Sequence, residues 1–188
     1  MKTIKFLSAI SLALLAFTSC SNDDSQPVNE EEVITTVTIT LTPVGGGNSV
    51  VLTSRDLDGG GPNAPVITST GSVTALTAYN GTVLLQNELV NPAKNITDEV
   101  LEEGTEHQFF YSKGGGLTGT FAYADQDDNG NPIGIEFHFN ASATAQSGNI
   151  NVVLRHNPNK TALNVAGGDI THAGGVTDVM VSFPVTVE

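Results

Sequence analysis

A two-residue beat of apolar side chains runs through most of this chain and restricts it to sheet. In Val37-Thr38-Ile39-Thr40-Leu41-Thr42, apolar residues alternate with threonines, so an extended strand buries one face and keeps the other polar. The beat returns in Ile133, Ile135, Phe137 and Phe139, in Ile150, Val152, Leu154 and His156, and in Val179, Val181, Phe183, Val185 and Val187. Val50-Val51-Leu52, Val66-Ile67-Thr68, Val83-Leu84-Leu85 and Leu117 to Tyr123 are shorter candidates, and Thr105 to Tyr111 puts His107, Phe109 and Tyr111 on one face. Gly, Asn, Asp and Pro separate them, as in Gly45-Gly46-Gly47 and Asp56 to Asn63. Asn80-Gly81, between Tyr79 and Val83, predicts a two-residue hairpin. Short strands at regular spacing predict an all-β domain over 33–188, an antiparallel β-sandwich or barrel. Lys113-Gly114-Gly115-Gly116 marks a point near 113–116 where that domain could divide.

One short helix is expected from Asp98 to Glu103. Thr97 would cap it, Asp98 and Glu99 would favour its positive end, and Ile96 with Leu101 would staple it. Gly104 would stop it.

The segment before the sheet is of a different kind. Lys2 and Lys5 open the chain, and Phe6 to Phe17 is apolar and uncharged. That run suits a secretory core of about 7–15 residues. It is shorter than the ~20 needed to span a bilayer. The one cysteine, Cys20, follows Ser19 directly, in what resembles a relaxed bacterial lipoprotein box with Phe17 and Thr18 at its variable positions. The expectation is a signal peptide over 1–19 and lipid attachment (palmitate among the acyl groups) at Cys20. An acidic flexible tether would follow over 20–32, with Pro27 and Glu30-Glu31-Glu32 in it. Asn22-Asp23-Asp24 resembles the surface-export signal of Bacteroidetes lipoproteins. An ordinary signal peptide ahead of a plain cysteine is the alternative. Such a tether places the domain about 20 Å from the membrane on average and roughly 45 Å when fully extended.

Charge narrows the partners. The formal charge of −13 becomes −15 once Lys2 and Lys5 leave with the signal peptide, and only Arg55, Lys94, Lys113, Arg155 and Lys160 remain as fixed cations. Phosphate backbones and anionic head groups would repel such a chain, so no nucleic acid partner is expected. Contact with the membrane would run through the lipid alone, and a cation is a favoured partner. With its cysteine used as an anchor the chain has no disulfide, so its core, perforce, carries the fold.

The sharpest motif runs from Asp125 to Glu136. Asp125, Asp127, Asn129, Gly130 and Glu136 match every fixed position of the calcium-loop pattern D-x-D-x-N-G-x5-E. Ca2+ takes six to eight oxygens, which Asp125, Asp127, Asn129, the Asn131 carbonyl and a bidentate Glu136 would supply, as a structural site. The competing reading is a solvated hairpin turn, because the flanks read as strands and Pro132 stands where a hydrophobe is usual. Asp56, Asp58 and Asn63 form a weaker acidic turn, read as structural.

The four histidines, His107, His138, His156 and His172, carry no ligand spacing such as H-x3-H or HExxH. Strand neighbours among them, with Glu102, Glu103, Glu106 and Glu136 nearby, could build a zinc, copper or haem site. His156, on an apolar strand face, is the one expected to be partly buried. Gly114 to Gly119 matches GxGxxG but runs into a strand, so it holds no dinucleotide. GxSxG, P-loop and zinc-ribbon spacings are missing.

Several phrases together resemble a family of small flavobacterial (Bacteroidetes) lipoproteins often labelled type 1 periplasmic binding fold superfamily protein. They are Ile34-Thr35-Thr36-Val37, Asp56-Leu57-Asp58-Gly59, Thr105 to Tyr111, Asn129 to Gly134, Leu154 to Lys160 and Gly174-Gly175-Val176-Thr177-Asp178. The resemblance implies a lipoprotein but brings no ligand residues. Its label implies two α/β lobes, whereas this pattern holds one short helix and stays with the β reading. The leading expectation is therefore a non-enzymatic binding or accessory module on the outer membrane or cell surface, working beside a nutrient receptor on a small ligand or cation. A metal-handling lipoprotein for calcium, zinc or haem is the alternative, and an enzyme acting on a surface glycan is the third reading.

Overall fold

The computed structural model describes residues 32–188. The expected signal peptide, Cys20 and the tether up to Glu31 lie outside the described residues.

β1 (Thr36–Pro43) shows how the alternation becomes sheet. Val37, Ile39 and Leu41 are buried, while Thr38 and Thr40 face outward between neighbouring strands. β1 lies between β2 (Val50–Arg55) and β4 (Ala78–Asn87), with Ile39 opposite both Leu52 and Val83. β3 (Val66–Ser69) extends β2, and the two-residue β5 (Lys94–Asn95) pairs with the end of β4. β8 (Glu136–Ala141) joins β4, and β7 (Gly119–Tyr123) closes the row. The order is β3-β2-β1-β4-β8-β7, all antiparallel.

A second sheet of three strands has the order β10-β9-β6, from β6 (His107–Gly114), β9 (Gln146–His156) and β10 (Val176–Val187). One core binds the sheets. Ile39, Leu52, Leu85, Phe137 and Phe139 of the first meet Phe109, Ile150, Val152, Leu154 and Phe183 of the second. Each such side chain contributes about 1.5–3 kcal/mol when buried. The architecture is an all-β sandwich. It is not a barrel, since β3 and β7 each pair on one side only.

The Lys113–Gly116 run is the turn by which the chain passes from β6 in one sheet to β7 in the other, and the described residues fall in one compact unit. The outer face of the three-stranded sheet is covered as well. Residues 157–175 cross it with two 3-10 turns, Val165–Gly167 and Ile170–His172, and pack Val165 and Ala173 on Phe110.

Two local expectations are corrected. Asn80-Gly81 is not a hairpin but the middle of β4, with Gly81 paired to both Leu41 and Phe137. Two neighbouring strands satisfy its backbone, and that outweighs the local turn preference. Thr97 does not cap the helix α1 (Thr97–Glu102): its hydroxyl accepts from Leu85 N at 2.7 Å, and the side chain of Asn95 accepts from Thr97 N at 3.0 Å. The helix is thereby tied to β4 at its first turn.

Candidate metal centre

The inner stripe of the three-stranded sheet ends in histidine. Along β9, Ile150, Val152, Leu154 and His156 are buried in turn, and along β6 His107 precedes Phe109 on the same face. Register sets His107 directly opposite His156. The rings meet edge to face with centroids 4.6 Å apart. His107 is fully buried and His156 is 7% exposed.

β10 delivers a carboxylate to the pair. Its register against β9 shifts between Thr177 and Val179, so Asp178 is the extra residue of a β-bulge. A bulge re-aims one side chain without losing the strand, and here Asp178 Oδ2 comes 3.8 Å from His107 Nε2. Gly175 makes that approach possible. Its φ is +70°, and a Cβ there would lie 2.3 Å from the His156 carbonyl oxygen.

Glu32 closes the far side, with Oε1 3.3 Å from His107 Nε2. One donor atom each from His107, His156 and Asp178 lies within 4.8 Å of the others, and Glu32, Glu103 and His107 form an overlapping group. Glu106 Oε2 stands 3.7 Å from His156 Nε2 at the outer edge.

The tautomer follows from the partners. His107 Nδ1 donates to the Glu103 carbonyl at 3.2 Å, and a carbonyl can only accept. Nδ1 therefore carries the proton of the neutral ring, and the Nε2 lone pair faces Glu32 and Asp178. Neither carboxylate is aligned for a hydrogen bond with that buried nitrogen. A carbonyl on the far nitrogen is the usual support of a metal-bound imidazole. Burial pushes the His107 pKa down, but Glu32, the Glu103 carbonyl and Asp178 push it up harder, and the ring titrates above its ordinary value. The carboxylates thus call for positive charge beside Nε2, which either a proton or a metal ion supplies.

The donor set suits zinc. Imidazole nitrogen and carboxylate oxygen bind it at about 2.0–2.2 Å, so neighbouring donors on a tetrahedron lie roughly 3.4 Å apart. The 3.3 and 3.8 Å separations at His107 are near that spacing.

The Asp125–Glu136 loop is arranged differently. It joins the antiparallel neighbours β7 and β8. Asp125 accepts from Gly134 N at 2.6 Å and Glu136 N at 2.9 Å. Asp127 Oδ1 accepts from Asn129 N and Asn131 N, both at 2.9 Å, and the Asn131 carbonyl accepts from Asp127 N at 2.7 Å. Asp127 Oδ2 pairs with the buried Lys160 ammonium at 2.9 Å, which also donates to the carbonyls of Gly104 and Pro132. Glu136 lies exposed at the start of β8, and Asp125, Asp127 and Glu136 are not among the three-donor groups of the described residues. The cation held by this loop here is Lys160.

The other histidines lie apart. His138 Nδ1 is 3.0 Å from Asn80 Oδ1 on an exposed face, and His172 sits in the second 3-10 turn. The acidic turn at Asp56 is structural as read, with Asp56 Oδ1 accepting from Gly59 N at 2.9 Å and Asp58 accepting from the Asn63 side chain at 2.7 Å. Sequence reasoning named His156 but missed its pairing with His107, and missed Asp178 and Glu32 as their partners. Matching parity on two strands was the available signal. Register and bulge were not.

Comparison with protein-family models, with curated proteins and with solved structures found no match. The functional reading therefore rests on this chain's own residues.

Proposed function

We propose that this chain is a lipid-anchored, non-enzymatic domain at the outer membrane that holds a divalent transition-metal ion, zinc foremost, at His107, His156 and Asp178. The observation that carries the reading is the buried His107 Nε2, its lone pair turned by the Glu103 hydrogen bond toward a second imidazole and carboxylates. Imidazole nitrogens favour zinc over the all-oxygen shell that calcium prefers. A place at the cell surface, through Cys20, suits a module that captures or stores an ion beside a receptor.

Elemental analysis of the purified chain should give one zinc per molecule. A ligand held at 100 times its Kd stabilises the folded state by about 2.7 kcal/mol. Zinc should therefore raise the melting temperature, a chelator should reverse the rise, and His107→Ala and His156→Ala should abolish it. A melting curve indifferent to zinc and to chelator would sink the proposal.

A further inference from the structure

We propose that Glu32 is the fourth ligand of this centre and that the bound ion clasps the start of the domain to the three-stranded sheet. The inference rests on the metal reading above and concerns what completes and regulates that site. Glu32 lies four residues before the start of β1, on the side of the chain that leads back to Cys20. From Thr35 onward the backbone belongs to the larger sheet: Thr35 N donates to Gln86 O at 2.9 Å, and the Thr35 carbonyl accepts from Asp56 N at 2.8 Å. The Glu32 side chain goes the other way, to His107 at the head of the smaller sheet. It thus bridges two layers over a stretch of three residues.

Its surroundings are those of a ligand and not of a surface glutamate. The side chain is 10% exposed, Oε1 lies 3.3 Å from His107 Nε2, and Oε2 is buried with no hydrogen-bond partner among the described residues. A carboxylate in the usual tether composition would turn to water, where both oxygens are solvated at no cost. Here one oxygen stands beside the His107 Nε2 and the other makes no hydrogen bond among the described residues, an arrangement that a cation bound between the donors would complete. Glu32 groups with His107 and Glu103, and His156 and Asp178 group with the same His107, so a bound ion would have to draw Glu32 into the shell of the other three. Two imidazoles with two carboxylates would then fill a zinc tetrahedron and leave no open position, which fits holding an ion and not activating water on it.

A ligand placed where the chain joins the domain links two events. Binding the ion fixes residues 32–35 against both sheets, and losing it frees them from His107. Occupancy is then sensed at the anchor side of the domain.

The test uses the full-length chain in detergent, with zinc as the probe. Zinc affinity is measured by competition with a chromophoric chelator, and hydrogen exchange of the Val33–Thr35 amides is followed with and without zinc. In the wild-type chain zinc should slow exchange at those amides by about tenfold or more. The isosteric Glu32→Gln should still bind one zinc through the other three ligands, about 10–100-fold more weakly. Zinc should leave its exchange at 33–35 unchanged. Equal zinc affinity in the two proteins, with exchange at 33–35 indifferent to zinc in both, would overturn the clasp and leave the three-residue site standing. Failure of the wild-type chain to bind zinc would overturn the site itself and the clasp with it.

Discussion

Gly81 has no side chain because Phe137 occupies the space that one would fill. A Cβ at this position would lie 2.3 Å from the ring Cζ of Phe137, directly across the strand pair. Phe137 in turn packs on Tyr111, with centroids 4.1 Å apart, and so helps hold the two sheets together. Gly81→Ala should therefore destabilise the fold by about 1–3 kcal/mol, as overpacked cores do. In urea unfolding, the same change made in a Phe137→Leu background should cost clearly less. Equal costs in the two backgrounds would mean that the ring does not stand over the glycine. The residue scale also shows why Asn80-Gly81 misleads. As a dipeptide it is a strong turn former, whereas its place in the fold is set by a phenylalanine far along the chain.

At the scale of elements, the loop between β7 and β8 depends on a residue from outside it. Lys160 reaches in from the crossing segment to Asp127 and to the carbonyls of Gly104 and Pro132, joining three parts of the chain at one buried ammonium. Burial pushes the Asp127 carboxyl up, but Lys160 and the Asn131 and Asn129 amides outweigh it and hold it below its usual 3.8. A native pKa below the unfolded one gives stability that is present above pH 3.8 and is lost as the pH falls through the native value. Lys160→Met leaves the buried carboxylate without its cation and should cost about 3–5 kcal/mol at neutral pH. The gap between wild type and variant should narrow as the solution is acidified, when the carboxyl becomes neutral in both. Denaturant midpoints recorded from pH 7 down to pH 3 measure this, and a gap that widens toward acid would contradict it. The motif from Asp125 to Glu136 was plain in the sequence, but the charge that fills it was not. Nothing local to a calcium-like loop announces a lysine that follows two strands later in the chain.

For the whole molecule, most of the sheet was legible because burial on one face writes a period of two into the residues, as in Val37 to Thr42 and Val179 to Val187. What escaped was pairing. His107 and His156 become partners through cross-strand register, Asp178 joins them through one extra residue, and Glu32 joins them by lying at the edge of a segment that composition alone marks as tether. The same scale separates anchoring from ion binding. Each acyl methylene buried in a bilayer contributes about 0.8 kcal/mol, so membrane attachment would reside in the lipid on Cys20. A chain with a formal charge of −15, as it would have once residues 1–19 were removed, would be repelled by anionic head groups and add nothing to that attachment. The proposed metal ligands, by contrast, are His107, His156, Asp178 and Glu32, all among the described residues. Cys20→Ala should therefore move the full chain from the detergent-rich to the aqueous phase on phase partition, folded, with its zinc affinity unchanged from that of the lipidated protein. A variant that stays with the membrane would refute lipid anchoring at Cys20. A variant that is released but has lost its affinity would show that the ion depends on the anchor, against a site built from the four proposed ligands.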